Sequence, residues 1–362
     1  MLRHIVKLAS RQFYSQSFAC GREGMLAGMG NPLLDISANC DQSFLDKYDL
    51  KPDNAVLAEE KHIPLYQEMI ANYDVEYIAG GATLNTIRVA QWLVQKPNVI
   101  SYFGSIGDDE YGKTLLAKSK EAGVNMKPQI NKEHSTGTCA VVITGSKRSL
   151  VANLAAANHF KKTHFDVKEN WDIVEKADYF YIGGFFLTVS PESILKMAAH
   201  ACEHNKYLMM NLSAPFLCQF FAEPMSKCLP YIDILFANEC EAVAFSKQQN
   251  FGTNDLKEIA LKTCSLDKLN KNRERMVVFT QGEEPTICAY EGKVTEYPII
   301  SIKKEDIVDT NGAGDSFVGG FLSQLMQGRD IAQCVRVGHY AANYIIQQSG
   351  VSLTGTPKIP TE

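Results

Sequence analysis

Two rhythms of apolar and polar positions run along the chain. From Tyr179 onward, short apolar runs alternate with stretches of helical spacing: Tyr179–Ile182, then Pro191–His204, then Tyr207–Leu212, then Ile232–Phe236 followed by Glu239–Gln248. Short unbroken apolar runs suit strands buried on both faces, and the segments between them place apolar side chains three and four apart, so the pattern predicts βαβ units. Met276–Thr280 predicts a further strand, a hairpin is expected around Gly292, and helices over Asp315–Met326 and Ile331–Gln347 close the chain. The expectation is one parallel or mostly parallel sheet with helices on both faces.

The first part of the chain is less regular. Met25–Met29, Val99–Phe103 and Thr138–Thr144 read as strands, and Thr86, Ile87, Ala90, Leu93 and Val94 give Thr83–Val94 a helical period. Two segments, about 34–79 and about 136–153, instead carry short strand-like pieces separated by turn residues. Together they predict a small β-rich lid built from two insertions. With no repeat, low-complexity tract or long linker, residues 24–355 are expected to form one domain with that lid.

Composition narrows the partners more than the fold. The chain has 362 residues, 45% hydrophobic content and a formal net charge of −5, which supports an adequate core and gives no clustered positive charge for nucleic acid or a membrane surface. A small soluble substrate and a monomeric protein are expected. Ten cysteines occur with no Cys-x-x-Cys pair and no His cluster at metal-ligand spacing, which points away from a disulfide framework or zinc site and towards a reducing compartment. The longest apolar run, Tyr179 to Leu187, is broken by Gly183-Gly184 and is too short to span a bilayer. Residues 1–23 differ: Arg3, Lys7, Arg11 and Arg22 precede Glu23, the first acid, with Ser10, Ser15 and Ser17 among apolar residues. Such a leader is either a mitochondrial transit peptide or a segment with no address. The expected compartment is the cytoplasm, with the nucleus as a second location and mitochondrial import if the leader acts.

The densest chemistry lies in Asp309-Thr310-Asn311-Gly312-Ala313-Gly314-Asp315. Ile307-Val308 reads as the end of a strand, and Phe317, Val318, Phe321, Leu322 and Leu325 follow at helical spacing, so the run is expected to be a strand-to-helix turn. Amides of Gly312, Ala313 and Gly314 at a helix N-terminus would make an anion hole suited to phosphate. Beside it, Asp315 can accept a proton from an attacking hydroxyl as a phosphoryl group is transferred. The plainer alternative is that Asp315 caps the helix while Asp309 ends a strand. Neither Gly-x-Gly-x-x-Gly nor Gly-x-Ser-x-Gly is present here. By letter, Gly107-Asp108-Asp109-Glu110-Tyr111-Gly112-Lys113-Thr114 matches a P-loop, yet three acidic side chains would repel the phosphates that such a loop cradles. It reads as a solvated acidic turn opening a surface helix.

Several longer stretches go further: Gly28 to Ile36, Ala79-Gly80-Gly81 with Asn85, Asn153 to Asn158, Phe185 to Glu192, Asn211 to Phe216, and Asp309 to Asp315. In this order they resemble the ribokinase-like family of carbohydrate and nucleoside kinases, and within it the members that phosphorylate adenosine. The resemblance implies a three-layer α/β/α domain with a β-rich lid and transfer of phosphate from ATP to the ribose 5′-hydroxyl of adenosine, giving AMP and ADP. It places Asp35, Gly80, Gly81 and Asn85 at the ribose, and Asn31, Leu33, Leu57, Cys139 and Phe186 around the purine. Carboxylates accept paired hydroxyls well, and glycines admit a sugar close to backbone. Arg148 resembles the arginine that closes with the lid on the transferred phosphate. Asn238 and Glu241, in an Asn-x-x-Glu motif, are implied to orient hydrated Mg²⁺, though the same residues also read as a capping box. Thr280, Gln281, Gly282, Asp309, Asn311 and His339 are implied on the ATP side, with K⁺ near Asp309 as a family possibility. Ala82, where many sugar kinases have Asn, favours a nucleoside acceptor.

Overall fold

The computed structural model describes residues 21–51, 54–145 and 147–360; the predicted leader lies, up to residue 20, outside them. Nine strands form the central sheet in the order Lys293–Tyr297, Glu284–Tyr290, Met276–Gln281, Ile234–Asn238, Tyr207–Asn211, Tyr179–Gly183, Leu26–Met29, Ile100–Phe103 and Asn125–Met126. All neighbours are parallel except the two pairs of the Glu284–Tyr290 and Lys293–Tyr297 hairpin edge. Around Gly292 that hairpin turns with φ 49° at Glu291 and 71° at Gly292, the left-handed pair that suits a tight two-residue connection.

Alternation sends successive side chains to opposite faces, and each face is roofed by helices. Ala27, Phe180, Ile182, Leu208, Leu235 and Val277 meet the helices Lys168–Lys176, Pro191–Glu203, Glu239–Gln248 and Leu256–Cys264. Leu26, Tyr181, Met209, Phe236, Met276 and Val278 meet Ala82–Val94, Glu110–Glu121, Ala313–Leu325 and Ile331–Ile346. The result is a three-layer sandwich whose strand ends, where the chain enters helices, lie together. No helix among the described residues is long and apolar enough to cross a membrane.

A second sheet has the order Ala55–Leu57, Lys147–Asn153, Thr138–Thr144, Leu33–Asn39 and Glu76–Gly80. Its strands come from the two segments that break the α/β rhythm. Ile36, Ala38, Ala140, Val142 and Val151 pack one face against Phe44, Leu45, Leu65, Tyr66 and Met69, mainly from helices Gln42–Lys47 and Ile63–Asn72. By the period of two, Leu33, Asp35, Leu57, Cys139 and Arg148 occupy the opposite face. Thus a single sheet face presents every lid residue singled out by resemblance, apart from the helix and turn positions beside it.

One sequence expectation is corrected. Ile307-Val308 does not end a strand: both residues are over a third exposed, follow a short 3₁₀ turn at Lys304–Asp306, and pair with no strand. The amides of Val308 and Asp309 instead donate to the carbonyl of Ile346, the last residue of a helix. Two β-branched residues suit a pleated surface, but here they run along the end of a helix and not along a sheet.

Candidate active site

The run singled out by its glycines is a loop-to-helix turn. Gly312 stands at φ 77° just before the Ala313–Leu325 helix, and a Cβ there would come within 2.5 Å of the Val351 side chain. At Gly314 an added Cβ would meet nothing within 4 Å, so that position faces open space. Asp315 lies in the first turn, where the amide dipoles favour an anion. Across from it, Asn85 Nδ2 donates to Asp315 Oδ2 at 3.2 Å. Asn85 belongs to the first turn of the Ala82–Val94 helix, so two helix N-termini converge on one carboxylate. Burial pushes Asp315 up to about 7; the Asn85 bond pulls it down and the Glu241 charge pushes it further up.

Glu241 is the second carboxylate of this pocket. Asn238 caps Glu239–Gln248: its Oδ1 accepts from the Glu241 amide at 2.8 Å, while Glu241 accepts from both the amide and Nδ2 of Asn238 at 3.0 Å. The capping box and the kinase motif are therefore the same residues. Glu241 is buried, and that burial raises its carboxyl to about 7. Asn238, Glu241, Thr280, Gly314 and Asp315 line a cavity of about 140 Å³ together with Asn211. No group of three or more His, Cys, Asp and Glu converges to hold a metal directly among the described residues. Two carboxylates on one pocket beside an anion-seeking helix start do fit a hydrated cation carried on phosphate oxygens.

Asp35 fronts the lid side. Its carboxylate packs so close to Gly80 that a Cβ there would fall 2.3 Å away, and at Gly81, with φ 93°, a Cβ would fall 2.3 Å from the Asn31 carbonyl oxygen. Those glycines make room for protein groups: the Asp35 carboxylate at Gly80 and the Asn31 carbonyl at Gly81. Burial brings Asp35 up to about 7, while Arg88 and Arg148 pull it down and Asp315 pushes it up. The Oδ1 atoms of Asn31 and Asn85 are buried without a hydrogen-bond partner among the described residues, as acceptors awaiting a hydroxyl or amine would be. Leu33 and Cys139 are buried together beneath the lid face, and Leu57 is 63% exposed at its rim. Phe186 is fully buried in the main core, edge-on to Phe160 at 5.5 Å; its neighbour Phe185 is the ring that lines the cavity.

Arg148 reaches from the lid to the main domain. Its Nη1 lies 3.1 Å from Asp309 Oδ2, and Nη2 donates to Ser349 Oγ. Asp309 also accepts from the amide and Nδ2 of Asn311 at 2.9 and 2.8 Å, and from the Gly350 amide. Of the residues that the resemblance implies for ATP, Gln281 Nε2 donates to the Pro285 carbonyl, and Gly282 turns the chain at φ 58°. His339 is buried beside Phe317 and bonded to Thr286 Oγ1 at 2.8 Å; burial holds its imidazole down at about 4, so it is neutral.

The P-loop look-alike does structural work elsewhere. Asp109 caps Glu110–Glu121 through the Gly112 amide and accepts from both the amide and Oγ1 of Thr136 at the entrance to the lid. Sequence reasoning passed over Arg88 and gave no role to Asn211 or Ser213, which it quoted only within a longer stretch. Ser213, at φ 66°, holds the Gly184 amide through its hydroxyl at 2.8 Å; a polar pair directly after an apolar strand was the available signal.

Comparison with known proteins agrees with this geometry. Residues 42–359 match the model of the pfkB family of carbohydrate kinases. Adenosine kinase 1 of Arabidopsis thaliana is 53% identical over 335 residues, covering 92% of this chain and 97% of that protein. Adenosine kinase of Dictyostelium discoideum is 47% identical over 331 residues, covering 91% and 97%. The crystal structure of Anopheles gambiae adenosine kinase in complex with P1,P4-di(adenosine-5) tetraphosphate superimposes with a TM-score of 0.86 at 48% identity, covering 93% of this chain and 99% of that one. The chain belongs to the pfkB family of carbohydrate kinases, in its adenosine kinase branch.

Proposed function

We propose that the chain transfers the γ-phosphoryl group of ATP to the 5′-hydroxyl of adenosine, yielding AMP and ADP. The observation that carries this reading is Asp315: a carboxylate at a helix N-terminus, raised to about 7, oriented by Asn85 and opening on the cavity that Gly314 also lines. A base near neutrality removes the hydroxyl proton as attack proceeds, and the Gly312 to Gly314 amides hold the phosphate charge that develops. Asp35 accepts the ribose hydroxyls, and Asn31 and Asn85 offer their open acceptors to the nucleoside. The apolar rim of Leu33, Leu57 and Cys139 favours a purine over a bare sugar. Asn238 and Glu241 would hold hydrated Mg²⁺, which when bound would offset negative charge on the ATP phosphates. Asp309 is the group to which a monovalent cation would be drawn. Arg148 leaves Asp309 for the transferred phosphate as the lid closes, which also keeps water out.

The test is an acceptor panel with purified protein and MgATP. Adenosine should exceed inosine, guanosine and ribose in kcat/KM by at least about a hundredfold, a floor set by apolar contacts alone, below the roughly 10⁴-fold that unpaired polar groups give; comparable turnover of ribose would overturn the nucleoside assignment. We further propose a monomeric cytoplasmic enzyme. Fusing residues 1–23 to a fluorescent reporter separates an inert leader, which gives diffuse signal, from a mitochondrial address.

A further inference from the structure

Asp35 presents an unusual electrostatic problem. It is a carboxylate that burial pushes towards the neutral acid, on a site where the ionised form is the better acceptor of two hydroxyls, and no side-chain or backbone donor to it is found among the described residues. Four charged or titratable groups face it. Arg148 comes from the neighbouring lid strands, Asp315 from the helix start across the site, Cys139 from the paired strand, and Arg88 from the helix Ala82–Val94 behind the Glu76–Gly80 strand. Cys139 is held well up as a neutral thiol and Asp315 repels, so only the two arginines favour the carboxylate.

These arginines are placed differently. Arg148 lies 3.1 Å from Asp309 and, in the reaction proposed above, moves with the lid. Arg88 sits on the rigid domain. It is only 8% exposed, its Nη1 donates to the Ala79 carbonyl at 2.5 Å, and its Nε is buried without a partner among the described residues. Ala79 precedes Gly80, the residue against whose Cα the Asp35 carboxylate rests. Arg88 has no carboxylate within ion-pair distance among the described residues, so Asp35 is the acid its charge serves, and burial alone holds its guanidinium down to about 10 against that pull.

We infer that Arg88 is a positioning residue for the acceptor nucleoside: it fixes the strand end that packs against Asp35 and supplies a standing positive charge that favours the Asp35 carboxylate whatever the lid does. The inference rests on the proposed contact between Asp35 and ribose. It assigns a role in nucleoside binding to a side chain that never touches the nucleoside.

The experiment measures KM for adenosine and kcat from pH 5.5 to 9 for the wild type, Arg88→Gln, Arg88→Met, Arg88→Lys, Asp35→Asn and Asp35→Asn with Arg88→Gln. Arg88→Gln keeps a donor for Ala79 and removes the charge. It should raise KM at pH 7 by about tenfold, with kcat changed by less than about threefold, and move the acid limb of 1/KM at least about one pH unit towards alkali. Arg88→Lys should restore the wild-type limb. In the Asp35→Asn background the same change should cost less than about twofold, because no carboxylate remains to be held. An unmoved acid limb in Arg88→Gln, or an equal cost in both backgrounds, overturns the inference. An Asp35→Asn protein with unchanged KM instead overturns the ribose contact itself, so the two failures are distinguishable. Arg88→Met repeats the charge test without the hydrogen bond, and circular dichroism of each variant separates misfolding from lost affinity.

Discussion

The two walls of the active site are built by different physics. On the main-domain wall, Asn238 and Glu241 stand at a helix start that grows directly out of the nine-stranded sheet, and Asp315 at the start of a helix packed on that sheet's core. On the lid wall, Asp35, Leu57, Cys139 and Arg148 stand on a five-stranded sheet whose own core is small, and its link to the main domain includes one ion pair, Arg148 with Asp309. The first wall is suited to chemistry, which needs sub-ångström placement; the second is suited to admitting and enclosing a substrate. Changes on the main wall should therefore strike kcat, and changes on the lid wall should strike KM, with Arg148 as the exception that belongs to both.

The largest effect is expected at Asp315. Asp315→Ala should lower kcat by about 10³-fold, within the range for a positioned base, while adenosine binding measured by calorimetry changes little. The pH profile sharpens the point. Asp315 acts as a carboxylate and its value is raised to about 7, as is that of Asp35, so kcat/KM should be full above that pH and fall by more than tenfold per unit below it, with Asp315→Ala removing one unit of that slope. A rate flat down to pH 5.5 would remove it from proton transfer.

Arg148→Met should follow, with kcat reduced by about 10²-fold and a smaller rise in KM, because the cation meets developing charge only as the lid shuts. Asp309→Asn releases the same arginine from its resting pair and should leave Arg148 free to close sooner. If Arg148→Met altered KM alone, the lid would be a cover and nothing more. Next comes Gly80→Ala, a change confined to the lid wall. The new methyl would lie 2.3 Å from the Asp35 carboxylate, which can rotate away more cheaply than the strand can move. Adenosine KM should rise by about tenfold, with KM for ATP and thermal stability nearly unchanged.

The walls also differ in how far the sequence foretells them. The main wall announces itself in generic chemistry: paired glycines before a helical period, and Asn238 with Glu241 at capping-box spacing, place an anion site whatever the family. Only the strand expected at Ile307-Val308 fails, because β-branched residues signal a strand without showing whether any partner edge is free. On the lid, Asp35 looks like any turn acid, and Leu57 and Cys139 look like core. Their gathering on one face depends on the register of strands more than a hundred residues apart, Asp35 opposite Cys139, which no local pattern encodes. Phe185 and Phe186 show the same limit at closer range, since which of two adjacent rings faces the cavity is set by the 3₁₀ turn at Gly184–Thr188. Arg88 is invisible from sequence because its importance lies in what sits behind it.

The smallest effect concerns what keeps the main wall rigid. His339 is buried, neutral and hydrogen-bonded to Thr286 in the edge hairpin, with its value held at about 4 by burial. An unfolded histidine titrates near 6.5. Because the folded value is the lower one, the stability linked to His339 is complete above about pH 6.5 and drains away as pH falls towards 4, when the unfolded chain takes up the proton first. His200, depressed to about 4 by burial with Lys206 and His204, lies on the opposite face of the same sheet and adds a slope of the same sign. Asp35, Asp315 and Glu241, raised to about 7, act with the opposite sign, so the histidine slope is read by difference: between pH 7 and 5 His339→Gln, whose amide can still meet Thr286, should gain about 2 °C in Tm relative to the wild type, starting slightly below it at pH 7. Hydrogen exchange at pH 5 should place the added opening in the Glu284–Tyr297 hairpin and the Ile331–Ile346 helix; protection lost first in the lid strands would reverse the assignment of rigidity between the two walls.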